Sequence, residues 1–319
     1  MKVLITGITG FAGSHLARYL RSQGVEIVGI DLQLPAEPDE AEVASLTNCC
    51  NLADTPALLE ILKREVPGAI VHLAARAQVA GAWEDAAAIM EANIVCTQSL
   101  MQAVHEAAPG TRVLLISSSE VYGKVPDGRM PITEEHPLRP NNTYSVSKAA
   151  QELIGLQYFY AFGAPVIIAR PFNHIGPGQK GNFVVPAFAG QIAAIENGLR
   201  EPVIRVGNLD SQRDFTDVRD IVRAYWLLLT EGQPGQVYNI ASGRVHRIRE
   251  ILDKLIELAR IKPRIENVPE LMRPSDTPVV IGDATKLKSL GQWEASVPLS
   301  DSLRDALDFW RRQSQGSQA

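Results

Sequence analysis

Cysteine is scarce in this chain: Cys49, Cys50 and Cys96 are the only three in 319 residues. An odd number with one adjacent pair supplies neither the even count of a disulfide framework nor the paired spacing of a zinc site. A reducing compartment and no metal centre are therefore expected. Long apolar runs are also missing, and without a stretch of about 18 apolar residues no membrane-spanning helix is expected. The opening Met1-Lys2-Val3-Leu4-Ile5-Thr6-Gly7 breaks its apolar run at glycine, too early for a secretory leader, which points to a soluble cytoplasmic protein. Basic tracts are absent too. Lys and Arg number 31 against 36 Asp and Glu, a net charge of -5. That balance argues against a nucleic-acid partner while leaving room for a local positive pocket around a diphosphate.

What remains is ordinary globular material, 45% hydrophobic and 21% charged, in a length that suits one large domain with an appended lobe or two domains of usual size. Strand and helix signals alternate from the start. Lys2–Thr6 reads as a buried strand, Phe11–Gln23 as a helix stopped by Gly24, and Glu26–Ile30 as a second strand. An amphipathic stretch Pro56–Glu65 precedes the apolar strand Ala69–Leu73. A long helical segment Asp85–Ala108 precedes Arg112–Ile116, and a helix Tyr144–Phe162 precedes Val166–Ala169. Parallel strands need crossovers of a dozen or more residues, so this alternation predicts a Rossmann-type, doubly wound α/β fold.

After Arg170 the texture changes. Gly, Pro and Asn crowd Pro171–Gly181 and again Arg273–Pro278, with helices expected at Val185–Asn197, Val218–Thr230 and Leu299–Arg312 and strands at Val203–Val206 and Val237–Ile240. Residues 1–170 are expected to form the dinucleotide-binding domain, joined by 218–242, and 171–319 mainly a substrate-binding lobe. The acidic segment Ala36–Ala44 reads as a surface loop.

Gly7, Gly10 and Gly13 lie between the first strand and the first helix. Residues without side chains there let the backbone turn tightly and approach a pyrophosphate, while the helix N-terminus offers free N–H groups. The spacing is G-x-x-G-x-x-G rather than G-x-G-x-x-G. Asp31 ends the second strand, where a carboxylate binds both hydroxyls of an adenosine ribose and repels a 2′-phosphate. This favours NAD(H) and leaves NADP(H) possible.

Tyr144 and Lys148 stand four apart at the start of a helix, so both project from one face. A phenol with a pKa near 10 is a poor acid at neutral pH, and an adjacent ammonium is expected to lower it. Chance alone often produces Y-x-x-x-K; its place downstream of a dinucleotide loop gives it weight. Ser117-Ser118-Ser119-Glu120 follows the fourth strand, where open α/β sheets form their ligand crevice, and any of the three hydroxyls could hold a substrate oxygen. No nucleophile-elbow sequence accompanies His174 or the thiols, which disfavours hydrolysis.

These features together resemble the extended short-chain dehydrogenases/reductases that modify nucleotide-linked sugars, over nearly the whole chain. The resemblance is carried by Gly7/Gly10/Gly13, Leu73-Ala74-Ala75, Asn93, Ser117 to Gly123, Tyr144/Lys148, the segment Arg170 to Gln179, and Gly207 to Phe215. The last two look like the GDP-mannose branch. That resemblance implies NAD(P)H-dependent reduction of the C4 ketone of GDP-4-keto-6-deoxy-D-mannose to GDP-D-rhamnose by a homodimer paired through Asp85–Ala108 and Tyr144–Phe162.

It further implies a cofactor site of Gly7, Gly10, Phe11, Ala12, Gly13, Asp31, Leu32, Asn51, Leu52, Leu73, Ala74, Ala75, Asn93, Ser117, Tyr144, Lys148, Pro171 and Phe172. Ser118, Glu120, Tyr144 and Lys148 would be catalytic. The GDP-linked hexose would meet Ser118, Glu120, Asn173, Gln179, Val184, Arg213 and Arg273, the arginines clamping its diphosphate. The runner-up is 4,6-dehydration of GDP-mannose, for which Glu120 could remove the C5 proton. A 4-epimerase and a non-catalytic redox sensor on the same fold complete the alternatives.

Overall fold

A computed structural model describes residues 1–34, 43, 45–77, 85–126, 128–272 and 277–316. The acidic segment Ala36–Ala44, apart from Val43, and Arg273 lie outside the described residues. The strands are β1 (Lys2–Thr6), β2 (Glu26–Asp31), β3 (Thr47–Cys49), β4 (Ala69–His72), β5 (Arg112–Ile116), β6 (Val166–Pro171) and β7 (Asn173–Ile175). They continue with β8 (Val203–Val206), β9 (Gln212–Asp217), β10 (Val237–Ile240), β11 (Val245–Arg247), β12 (Arg264–Asn267) and β13 (Val279–Val280). The helices are α1 (Phe11–Ser22), α2 (Thr55–Glu65), α3 (Ala86–Met90), α4 (Cys96–Ala107) and α5 (Thr143–Phe162). After them come α6 (Val184–Glu196), α7 (Val218–Glu231), α8 (Ile248–Leu258), α9 (Thr285–Lys288) and α10 (Leu299–Gly316).

Apolar residues on both faces of the strands drive the main assembly. A seven-stranded sheet runs β10-β6-β5-β4-β1-β2-β3, with parallel pairing throughout. Along β1, Val3 and Ile5 point into one core with Leu16 and Leu20 of α1 and Ile221 and Leu228 of α7. Leu4 points into the other, with Leu58 and Leu62 of α2 and Leu100 and Val104 of α4. Each fully buried Leu or Ile contributes about 1.5–3 kcal/mol, so two covered faces fix the strand register firmly. The expected doubly wound α/β architecture is therefore the observed one, and β10 joins its edge beside β6.

A third core, with Phe188 and Ile192 of α6, Ile251 and Leu255 of α8, and Leu303 and Leu307 of α10, builds the remaining lobe. Its strands are short: β11, β9, β13 and β7 form one small sheet, and β8 pairs with β12. Gln212–Asp217 and Val245–Arg247 carry no apolar alternation long enough to predict a strand. Helix α8 is different, because Ile248, Ile251, Leu252 and Leu255 have full amphipathic spacing and the segment is absent from the elements predicted above.

The segment expected as one helix, Asp85–Ala108, is interrupted by a π-helical turn at Glu91–Val95. Asn93 turns inward there, accepting from the Arg76 N–H at 2.8 Å and donating to Ser147 Oγ at 2.8 Å, while Thr97 Oγ1 donates to the Asn93 carbonyl at 2.6 Å. Side-chain bonds of this kind compete with the helical ladder, and π-turns often occur where an inward-facing group is needed.

Helix α5 places charge in the interior. Glu152 and Arg170 are both nearly inaccessible and form a two-pronged pair, with Arg170 Nη2 to Glu152 Oε2 at 2.6 Å and Nε to Oε1 at 2.8 Å. Arg170 Nη1 donates to Tyr122 OH at 2.9 Å, and Tyr122 OH donates to Asn239 Oδ1 at 2.7 Å. Burial opposes the arginine charge, but Glu152 outweighs it and pushes the Arg170 pKa upward. Replacing Arg170 by Met strands a buried carboxylate and is expected to cost about 3–5 kcal/mol, read as a lower urea midpoint. The double variant Glu152→Leu/Arg170→Met is expected to lose less. Equal loss in both variants would show that packing, not the unpaired charge, sets the cost.

Candidate active site

The site forms where the parallel strands end. The loop after β1 folds tightly: Gly7 N donates to Ile30 O at 2.8 Å and Gly10 N to Gly7 O at 3.1 Å. Gly7 has φ +71, and a Cβ on it would lie 2.7 Å from Ala74 N, so the Leu73–Ala75 segment presses directly on the loop. Ala74 N also donates to Thr6 Oγ1 at 3.3 Å. Gly10 caps α1 without a side-chain hydrogen bond, leaving the N–H groups of Phe11, Ala12 and Gly13 for an anion. A loop with glycine at positions 7, 10 and 13, leading into a helix N-terminus that no side chain caps, fits a dinucleotide pyrophosphate.

Asp31 ends β2 and braces that loop. Its Oδ2 accepts from Thr9 N at 3.0 Å and Thr9 Oγ1 at 2.7 Å, and its Oδ1 accepts from Leu32 N at 2.8 Å. Leu32 is exposed beside it. Asn51 Oδ1 accepts from Ala53 N at 3.0 Å, and Leu52 is buried.

Helix α5 begins with a capping box: Asn142 Oδ1 accepts from Ser145 N at 2.8 Å, and Ser145 Oγ accepts from Asn142 N at 3.1 Å. That cap sets Tyr144 in the first turn and Lys148 one turn later. Tyr144 is buried, with Ser118 close enough to act on its hydroxyl. Burial raises its pKa well above the ordinary phenol value, Ser118 opposes this, and the charge of Glu120 adds to it. The expected lowering of the Tyr144 pKa by Lys148 is thus not found. Lys148 Nζ is turned to other partners, donating to Ile116 O at 2.7 Å and Gln151 Oε1 at 2.9 Å. Burial pulls the Lys148 pKa down to about 7, against the charge of Glu152.

The three serines separate by role. Ser117 Oγ donates to Glu152 and belongs to the buried ion-pair network, whereas Ser118 faces Tyr144 and accepts from Glu120 N at 3.2 Å. Glu120 Oε2 accepts from Asn142 Nδ2 at 3.5 Å. Asn93 has its amide taken by Arg76 and Ser147, which ties the π-turn to α5 and to the Arg76 backbone.

Pro171 closes β6 and Phe172 follows it; both are buried, with Phe172 N bonded to Ile240 O at 2.9 Å. Asn173 enters β7, which aligns with β9 at Phe215. His174 stacks on Phe11 with centroids 5.8 Å apart, tying the glycine loop to β7. Gln179 Nε2 donates to His174 O at 2.9 Å, and its buried Oε1 has no protein partner among the described residues. Val184 opens α6. Arg213 on β9 donates from Nη1 to Gln212 O at 2.9 Å and Thr277 O at 2.7 Å. Gln151 and Glu152 are absent from the predicted site; their positions three and four beyond Lys148, on the same helix face, were the available signal.

The fold and this arrangement define a nucleotide-sugar enzyme of the short-chain dehydrogenase/reductase type. Residues 4–306 match the family model described as GDP-mannose 4,6 dehydratase, and the chain belongs to that family. It is 37% identical to the GDP-6-deoxy-D-mannose reductase of Pseudomonas aeruginosa, over 97% of this chain and 97% of that protein. The structure of RMD from Pseudomonas aeruginosa complexed with NADPH superposes with a TM-score of 0.85 at 35% identity, covering 98% of this chain and 99% of that one. The Thermus thermophilus UDP-glucose 4-epimerase complex with NAD gives a TM-score of 0.86 at 27% identity, covering 98% and 99%. A nicotinamide dinucleotide is thus the cofactor class, and no described helix is long and apolar enough to cross a membrane.

A Cβ at Gly13 would sit 2.1 Å from Gly7 O and 2.8 Å from Ile8 O, both backbone atoms. Gly13→Ala is therefore expected to deform the loop and weaken NADPH binding at least about tenfold in a fluorescence titration, a change of about 1.4 kcal/mol. Gly110→Ala, where no atom lies within 4 Å, should bind as the parent does. Matching affinities for Gly13→Ala and the parent would remove the loop from the cofactor site.

Proposed function

We propose that this enzyme reduces the C4 ketone of GDP-4-keto-6-deoxy-D-mannose to GDP-D-rhamnose. The observation that carries this reading is the buried Tyr144 beside Ser118 at the carboxyl end of β5, in a chain 37% identical to a GDP-6-deoxy-D-mannose reductase. The nicotinamide cofactor, when bound, supplies the hydride.

The protein's own groups do the rest. Ser118 and Tyr144 hold the C4 oxygen, and Tyr144 gives its proton as that oxygen becomes an alkoxide. A phenol with a raised pKa remains protonated at neutral pH, as a general acid must. Lys148, one turn further along α5, is the cation whose remaining N–H would offset the charge of the developing phenolate. Ser117, Pro171 and Phe172 wall the nicotinamide end, and Leu52 and Leu73–Ala75 the rest of the cofactor trough. Asn51 and Leu32 flank the adenosine, where Asp31 favours NAD(H), although the similar reductase holds NADPH, so both cofactors belong in the assay. Asn173, Gln179 and Val184 face the sugar and nucleotide. The open Gln179 Oε1 supplies an acceptor, and Arg213, with Arg273, the positive charge for the diphosphate.

One observation favours a second reading. Glu120 stands close enough to Tyr144 for its charge to raise the phenol pKa, where a carboxylate could take a C5 proton in 4,6-dehydration of GDP-mannose. Supplying the purified enzyme separately with GDP-4-keto-6-deoxy-D-mannose and with GDP-D-mannose separates the two. Reduction is expected to consume NADH or NADPH at 340 nm with the keto sugar only. A keto sugar formed from GDP-D-mannose would assign the dehydratase instead. Tyr144→Phe is expected to lose about 10²–10⁴-fold in kcat with cofactor affinity kept. Unchanged kcat would remove Tyr144 as the acid.

A homodimer is part of this reading. Val146, Leu153 and Tyr160 are exposed at seven-residue intervals on α5, with Val95 exposed on the π-turn. Such an apolar stripe suits a four-helix seam between two copies. Light scattering at micromolar concentration is expected to give twice the chain mass, and Leu153→Glu to halve it. A monomer for the parent would refute the seam.

A further inference from the structure

A line of hydrogen bonds runs behind Lys148, through side chains that water does not reach. Lys148 Nζ donates to Gln151 Oε1 at 2.9 Å, and Gln151 Nε2 donates to Thr97 Oγ1 at 2.9 Å. Thr97 Oγ1 in turn contacts His72 Nε2 at 2.9 Å, and His72 Nδ1 meets Thr6 Oγ1 at 2.7 Å. Gln151, Thr97, His72 and Thr6 are each at most 1% exposed.

Donor counting fixes the direction of every bond. The single Thr97 hydroxyl proton goes to Asn93 O, so Thr97 Oγ1 accepts from both Gln151 and His72. His72 therefore carries its proton on Nε2, and its Nδ1 accepts from Thr6. Burial holds the His72 pKa down to about 3, with the charge of Lys148 adding, which keeps the ring neutral. An ammonium has only donors, so the Gln151 carbonyl must face Lys148 and its NH₂ must face Thr97. The amide cannot flip without breaking both bonds.

We propose that Gln151, oriented by Thr97 and His72, is the positioning residue that holds the Lys148 ammonium in the active site. With Ile116 O it fixes two of the three N–H directions, and one N–H remains for the reacting groups. The line ends at Thr6, which also accepts from Ala74 N beside the glycine loop, so the lysine and the cofactor loop share one frame. The inference deepens the reading of Lys148 as partner to Tyr144 and rests on it. The charged and titratable groups that interact with the ammonium are Glu152 on α5 and His72 on β4; Arg170 on β6 pairs with Glu152, and Glu120 in the Ser119–Tyr122 turn acts on Tyr144.

Gln151→Met keeps length and removes the acceptor; Thr97→Val keeps shape and removes the anchor; Thr97→Ser keeps the hydroxyl. The Lys148 titration midpoint, followed by ¹³Cε NMR in the full-length protein, needs no substrate. Loss of a hydrogen bond to the charged form is expected to lower that midpoint by about one pH unit in Gln151→Met and Thr97→Val, with Thr97→Ser restoring it. The pH profile of kcat should move the same way, with kcat falling about tenfold and KM for the sugar nucleotide held within about twofold. A Gln151→Met protein with the parent's melting curve and an unmoved Lys148 midpoint overturns the proposal. If that variant does not fold, the Thr97 pair decides: equal midpoints in Val and Ser variants overturn it. Should the parent reduce no keto sugar while the midpoint shifts as expected, the positioning role stands and the assigned reaction falls.

Discussion

Everything at this site depends on the pairing of charges that α5 carries into the interior. To set Lys148 under the crevice, the helix turns Gln151 and Glu152 to the same side, and a lone carboxylate there would cost several kcal/mol. Arg170 at the end of β6 and Ser117 after β5 satisfy Glu152. The pair therefore fastens α5 to the carboxyl ends of two adjacent strands, about two turns along α5 from Tyr144 and next to Ser118 through Ser117. Removing the pair would leave the rotation of α5 to its apolar packing and to the bonds of Ser147, Lys148 and Gln151.

Parallel pairing supplies the second half of the geometry. Because β1, β4, β5 and β6 all run one way, the segments that leave them gather along one edge: Gly7–Gly13, Leu73–Ala75, Ser117–Glu120 and Pro171–Asn173. Open α/β sheets bind ligands at that edge. Side chains far apart in sequence then brace one another, as when Thr9 meets Asp31 or Phe11 stacks on His174. The crevice is held from below by ion pairs and from the side by loop contacts.

Much of this is legible from the residues alone. The buried strands announce themselves as short runs of Val, Ile and Leu, and the glycine loop and the Tyr144/Lys148 spacing fall where strand and helix meet. What is not legible has physical reasons. The strands β9 and β11 are polar and are held by tertiary pairing rather than by propensity. The π-turn at Asn93 answers to partners, Arg76 and Ser147, that sequence separation hides. The Tyr144 pKa was expected to fall because Lys148 is four residues away, yet spacing does not reveal that Ile116 and Gln151 occupy the ammonium, or that burial dominates the phenol.

The most direct test of the account is to follow the reducing hydrogen itself. With nicotinamide cofactor carrying deuterium at both C4 positions and GDP-4-keto-6-deoxy-D-mannose, NMR of the product should show GDP-D-rhamnose carrying deuterium at C4 of the sugar, in amount equal to the cofactor oxidised. Cofactor left unoxidised, or a product without deuterium at that carbon, would contradict the reduction that the Tyr144 and Lys148 geometry is read to serve.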